Sequence, residues 1–145
     1  MKFTDTHCHL YTEEFHKDRA AMLKRAENEN VEKFYLHAID SESTDALLNL
    51  EAQYPGQCFA MMGLHPCYVK ENYEEELRNV ETWLAKRKFA AIGEIGLDFY
   101  WDTSFTTQQY HAFTGWVECG QGNPFTSPYK LKKHIAYYRS WKNAR

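Results

Sequence analysis

The sequence predicts an α/β fold in which repeated βα units lay parallel strands beside one another. Three observations predict it. Short β-rich runs alternate with amphipathic helical stretches along most of the chain. The composition, 43% hydrophobic with 26% charged residues, is that of a globular protein and excludes collagen, coiled coil and wholesale disorder. At 145 residues the expectation is one domain. No apolar run approaches the ~20 residues that would span a membrane. The N-terminal Met1-Lys2-Phe3-Thr4-Asp5 also lacks the pattern of a secretory signal, so a cytoplasmic location is expected. The four cysteines (Cys8, Cys58, Cys67 and Cys119) are then expected as reduced thiols, and their spacing contains no Cys-x-x-Cys pair of a structural zinc site.

The first strand is expected over residues 2–6. A helix follows from Asp18, a candidate N-cap, with Met22, Leu23 and Ala26 on one face. Residues 33–39, Lys-Phe-Tyr-Leu-His-Ala-Ile, form the second strand. Ser43 is the candidate cap of a second helix whose apolar face is Ala46, Leu47, Leu50 and Tyr54 and which Pro55-Gly56 ends. The third strand is expected over 58–63. A third helix starts near Tyr73, with Leu77, Val80, Trp83 and Leu84 on one face. Residues 89–94 form the fourth strand, apolar up to Glu94, and a fourth helix begins at Thr106.

Past Phe113 the alternation is expected to stop. Gly115, Gly120, Gly122 and Pro124 fall where a helix should continue. Residues 130–145 hold six basic residues and no acid, which leaves 11 basic against 20 acidic residues in the first 129. The expected organisation is therefore a run of about four βα units over 1–113 and a divergent basic segment over 114–145, which reads as out-of-frame or truncated. Such a tail, with Tyr129, Tyr137, Tyr138 and Trp141, could bind nucleic acid in a salt-sensitive way.

Four residues stand out for chemistry. In an extended segment residues i and i+2 project to the same side, so His7 and His9 can converge on one metal ion. Glu94 ends an otherwise apolar run, where a carboxylate is costly unless paired or metal-bound, and Gly93 and Gly96 allow close approach. His65, in Gly63-Leu64-His65-Pro66, occupies the equivalent place after the third strand. Each has a plainer reading: a surface His-x-His, a carboxylate paired with Arg or Lys, a loop histidine before a turn proline. All four nonetheless fall at the C-terminal ends of the expected strands, the face on which βα barrels build active sites. A carboxylate reaching two ions, with a histidine pair on one of them, is what two-metal phosphodiester hydrolysis requires.

Asp5-Thr6-His7-Cys8-His9-Leu10, Gly63-Leu64-His65-Pro66 and Gly93-Glu94-Ile95-Gly96-Leu97-Asp98-Phe99-Tyr100 together resemble, in order, the first three signature motifs of the TatD family of metal-dependent deoxyribonucleases. These are TIM (β/α) barrels of the amidohydrolase superfamily. The resemblance covers residues 1–113 and implies a partial barrel, about the first four βα units of the eight that need about 250 residues. It implies that His7 and His9 bind one divalent ion and that Glu94 bridges two, with Mg, Mn and Zn undistinguished. It further implies that Glu94 and His65 are catalytic, His65 lying near the substrate phosphate. Asp5 would orient the histidine pair from behind, with Asp98 supporting the same motif as Tyr100. The implied substrate is DNA. The family's later ligands, a histidine after the fifth strand, another after the sixth and an aspartate after the eighth, have no counterpart, since neither His111 nor His134 matches. Activity is therefore expected to be impaired, the alternative being an inactive remnant that binds nucleic acid nonspecifically. The superfamily's metal centre also serves ester and amide cleavage. An exposed sheet edge would let two copies pair as a homodimer.

Overall fold

A computed structural model describes residues 1–119, with side chains through Trp116. The expected basic segment from Lys130 onward, including His134 and the tail aromatics, lies outside the described residues, as does the side chain of Cys119.

Three parallel strands, β1 (Phe3–Cys8), β2 (Val31–His37) and β3 (Cys58–Met61), form a sheet in the order β1-β2-β3. The β2–β3 register is regular from Phe34↔Cys58 to His37↔Met61, whereas β1 slips against β2 between Asp5 and Cys8. The connections are α1 (Arg19–Asn28) and α2 (Thr44–Gln53), and α3 (Tyr73–Lys86) and α4 (Thr106–Cys119) follow. This is the α/β architecture the alternating pattern predicts. Among the described residues no helix is long and apolar enough to cross a membrane.

Local details depart from expectation. β1 runs two residues further than expected and so carries His7 itself, with His9 just beyond its end. The fourth run makes no regular strand. It lies beside β3 through Ala90 N–H to Ala60 O (2.9 Å), Met62 N–H to Ala91 O (3.2 Å) and Gly93 N–H to Met62 O (2.9 Å), with one parallel bridge, Met62–Ile92. Glu94 therefore reaches the site from a strand-like run bonded to the β3 side. Asp18 and Ser43 do precede α1 and α2, but neither side chain caps its helix. The Asp18 carboxylate accepts from Arg25 (3.1 Å) and the Ser43 hydroxyl donates to Asp40 O (3.0 Å). Gly56, with φ +80°, supplies the left-handed turn after α2.

The core forms where the helices cover the sheet. Leu23 of α1, Phe34 and Leu36 of β2, Leu47 and Leu50 of α2, Cys58 and Ala60 of β3 and Val80 of α3 are all buried. Ala46, expected on the apolar face of α2, is exposed; Thr44 completes the stripe with Leu47 and Leu50 instead. α4 also continues six residues beyond Phe113, through Gly115. A helical glycine costs ~1 kcal/mol, less than the roughly 1.5–3 kcal/mol from burying a large apolar side chain. Ala112 and Trp116, one turn apart, are both buried. Cys8, Cys58 and Cys67 are free thiols.

Candidate metal centre

The ends of β1 and β2, the loop after β3 and the fourth run bring three imidazoles around one carboxylate. Glu94 Oε2 lies 2.9 Å from His7 Nε2 and 3.6 Å from His9 Nε2, and Oε1 lies 3.4 Å from His65 Nε2. One ligand atom each from His7, His9 and Glu94 falls within 4.8 Å of the others. His9 sits at the end of β1, where its Nδ1 meets the carbonyl of His37 at 2.9 Å. A carbonyl only accepts, so Nδ1 carries the proton and Nε2 offers its lone pair toward Glu94. His65 has the opposite tautomer: its Nδ1 accepts from Cys67 N–H (3.1 Å), so Nε2–H faces the carboxylate.

Glu94 Oε2 is buried and receives no hydrogen bond. The short contact with His7 is thus one of charge, the ring N–H not being aimed at the oxygen. An ionised, buried oxygen facing an imidazole lone pair fits a cation between them. His7, His9 and Glu94 form a donor set suited to zinc, manganese or a similar divalent ion.

The charges reinforce this reading. Burial pushes the Glu94 carboxyl up, but the contacts with His7 and His9 and the charge of His65 outweigh it and hold the group well below the usual carboxylate range. The same contact raises His7, against the opposing effect of burial, with Asp5 adding to the rise. Burial lowers His65 despite Glu94. A metal ion must displace the proton from His7, so affinity is expected to tighten as pH rises through the elevated His7 pKa, which lies above 6.5. Glu94 stays ionised across that window. Isothermal titration of the chain with Mn²⁺ at pH 6 to 8 in two buffers of different ionisation enthalpy reads both the affinity and the released proton; an affinity independent of pH contradicts the assignment.

Asp5 lies where the sequence places it, but its carboxylate accepts from the backbone N–H of His7 (3.1 Å) rather than from an imidazole. Asp98 turns its carboxylate onto the N–H groups of Tyr100 (2.8 Å) and Trp101 (3.4 Å). His111 lies apart from the cluster, beside Tyr73 (3.3 Å). Sequence reasoning missed His37 and Tyr11. The ring of His37 stacks on that of His7 with centroids 4.0 Å apart, and its Nε2 bonds Thr6 O (3.0 Å). The Tyr11 hydroxyl donates to His37 O at 2.6 Å, fixing the carbonyl that orients His9. His37 stands inside the expected second strand, and neither it nor Tyr11 carried a signal in the sequence.

Comparison with known proteins places the chain in one family. A family model described as TatD-related DNase matches residues 4–121. The chain is 35% identical over 112 residues to an uncharacterized metal-dependent hydrolase, YjjV, of Escherichia coli, covering 75% of this chain and 43% of YjjV. It is 32% identical over 110 residues to the 3'-5' ssDNA/RNA exonuclease TatD of Yersinia pseudotuberculosis, covering 76% of this chain and 42% of that relative. The crystal structure of YjjV superposes with a TM-score of 0.71 at 30% identity, over 80% of this chain and 45% of YjjV. A TatD-family hydrolase from Entamoeba histolytica, at 20% identity, shares the fold with a TM-score of 0.68, over 86% of this chain and 47% of that structure. The chain thus spans less than half the length of these relatives.

Proposed function

The chain belongs to the family of TatD-related DNases, and on that premise we propose that it holds divalent metal through His7, His9 and Glu94 and uses it in phosphodiester hydrolysis of nucleic acid. The observation that carries this reading is the buried, unbonded Glu94 Oε2 facing the lone pair of His9 Nε2 at 3.6 Å. A bound divalent ion supplies Lewis acidity, making water more acidic and neutralising charge on the phosphate.

The chain's own residues do the rest. His9 is held in its ligating tautomer by His37 O, itself fixed by Tyr11. The two oxygens of Glu94 point to different partners, Oε2 to His7 and His9 and Oε1 to His65, which supports a bridging role between two ions. His65, with Nε2–H directed into the site, is placed to donate to a phosphate oxygen. Free thiols at Cys8, Cys58 and Cys67 support a reducing, cytoplasmic setting. The outer edge of β1, where Phe3 is 49% exposed, supports pairing with a second copy.

The test is a cleavage assay of the purified chain on labelled single-stranded DNA with added Mn²⁺. Cleavage that EDTA abolishes is the expected result. Binding that persists in EDTA without any cleavage in Mn²⁺ supports the inactive remnant instead.

A further inference from the structure

Two large aromatic side chains stand in water on the loop that follows Glu94: Tyr100 is 81% and Trp101 77% exposed. Singly such exposure is ordinary, but here two neighbours share it and the backbone beneath them is fastened at both ends. Asp98 accepts from Tyr100 N–H (2.8 Å) and Trp101 N–H (3.4 Å). The main chain of Asp98 is in turn clamped by Gln109, a buried residue of α4, which accepts from its N–H (2.7 Å) and donates to its carbonyl (2.8 Å). On the far side Asp102 accepts from Ser104 N–H (2.8 Å) and from Lys70 (3.0 Å), whose ammonium lies 4.9 Å from the centre of the Phe105 ring.

The two rings meet edge to face, centroids 4.9 Å apart at 89°, an arrangement that leaves ring faces open to a third planar group. The loop leaves the site directly, since Asp98 follows Glu94 by four residues and its charge reaches both His65 and Cys67. Lys70, which lies against this loop, is already paired with Asp102, so it offers less to a phosphate than the rings offer to a base.

We propose that Tyr100 and Trp101 form a stacking platform for unpaired nucleobases, presented by the loop clamped between Asp98 and Asp102, which positions single-stranded nucleic acid against the metal centre. This rests on the reading of the site as a nucleic-acid hydrolase and adds the part of the substrate it grips. Stacking on an aromatic side chain is sequence-tolerant because every base has a flat face, and it is worth ~1–3 kcal/mol per base. A base held there leaves its backbone to the metal centre.

The experiment compares a fluorescent 12-mer of thymidylate with an abasic 12-mer of equal length by anisotropy in EDTA, using the full chain. The wild type should prefer the thymidylate strand by roughly 5- to 150-fold per stacked base. Trp101→Ala and Tyr100→Ala should lose that preference while their affinity for the abasic strand and for Mn²⁺ is unchanged, and Trp101→Phe should retain part of it. Both side chains are exposed, so melting temperatures should stay at the wild-type value. A preference that persists in both alanine variants, or is missing from the wild type, overturns the platform. The Mn²⁺ titration and cleavage assay separate the two readings. A wild type that cleaves without preferring bases sinks the platform alone, and one that prefers bases without binding metal sinks only the hydrolase.

Discussion

Replacing Glu94 by glutamine is expected to weaken divalent-metal binding by more than about 100-fold, beyond the 10- to 100-fold typical of residues that merely support a ligand. Glutamine keeps the shape and removes the charge. The carboxylate is the only anion in the cluster of His7, His9 and Glu94, and it is held fully ionised at neutral pH. Two effects oppose each other. Without the anion His7 loses the group that raises its pKa, so less proton competition remains at neutral pH. That gain is smaller than the loss of the anionic donor, because the His7 side chain is 51% exposed and water screens the proton's attraction. Isothermal titration with Mn²⁺ at pH 7.5 checks the prediction, and an affinity within a few-fold of wild type would remove Glu94 from the centre. His9→Ala, which deletes a ligand without touching the anion, should also abolish tight binding.

The periodic elements could be read from the chain because burial on one face writes itself into spacing: Leu47 and Leu50, or Phe34 and Leu36, announce their faces. What could not be read is settled between elements. The ragged fourth run depends on how residues 90–93 meet Ala60 and Met62 across space, which no apolar pattern encodes. Gly115 argues locally for an end to α4, and only the packing of Trp116 overrides it. In the site, His7 and His9 could be singled out by their i, i+2 spacing, His65 by its place after the third strand and Glu94 as a carboxylate ending an apolar run. β1 ends two residues later than expected, and the pairing of His7 with His9 does not depend on it, because alternation places the two on one side whether or not the strand includes them. His37 lay inside an expected strand, and it orients His9 through its backbone carbonyl, a role no side-chain pattern encodes.

Gly63→Ala is expected to cost about 1–3 kcal/mol or more of stability, the range of overpacked interiors, and to weaken metal binding at the same time. Gly63 is buried between Met62 and Leu64, both nearly inaccessible. A methyl group there would lie 2.6 Å from the Gly93 carbonyl carbon and 2.8 Å from the backbone N and O of Glu94. These neighbours are main chain, so no side-chain rotation relieves the contact. Gly93 N–H is tied to Met62 O at 2.9 Å, and the run it belongs to must move away from β3 to make room. That movement carries Glu94 with it, and a displacement of several tenths of an ångström matters where the carboxylate meets three imidazoles between 2.9 and 3.6 Å. Metal affinity should therefore fall by about 10-fold or more even though no ligand is changed. Gly115→Ala is the control for the substitution itself: the added methyl meets nothing within 4 Å on an exposed helical position, and stability should rise by up to ~1 kcal/mol with metal affinity unchanged. Thermal melting and Mn²⁺ titration on the two variants side by side check both effects. A Gly63→Ala protein that melts at the wild-type temperature and binds metal as tightly would show that the loop after β3 and the Glu94 run do not press together as these distances require.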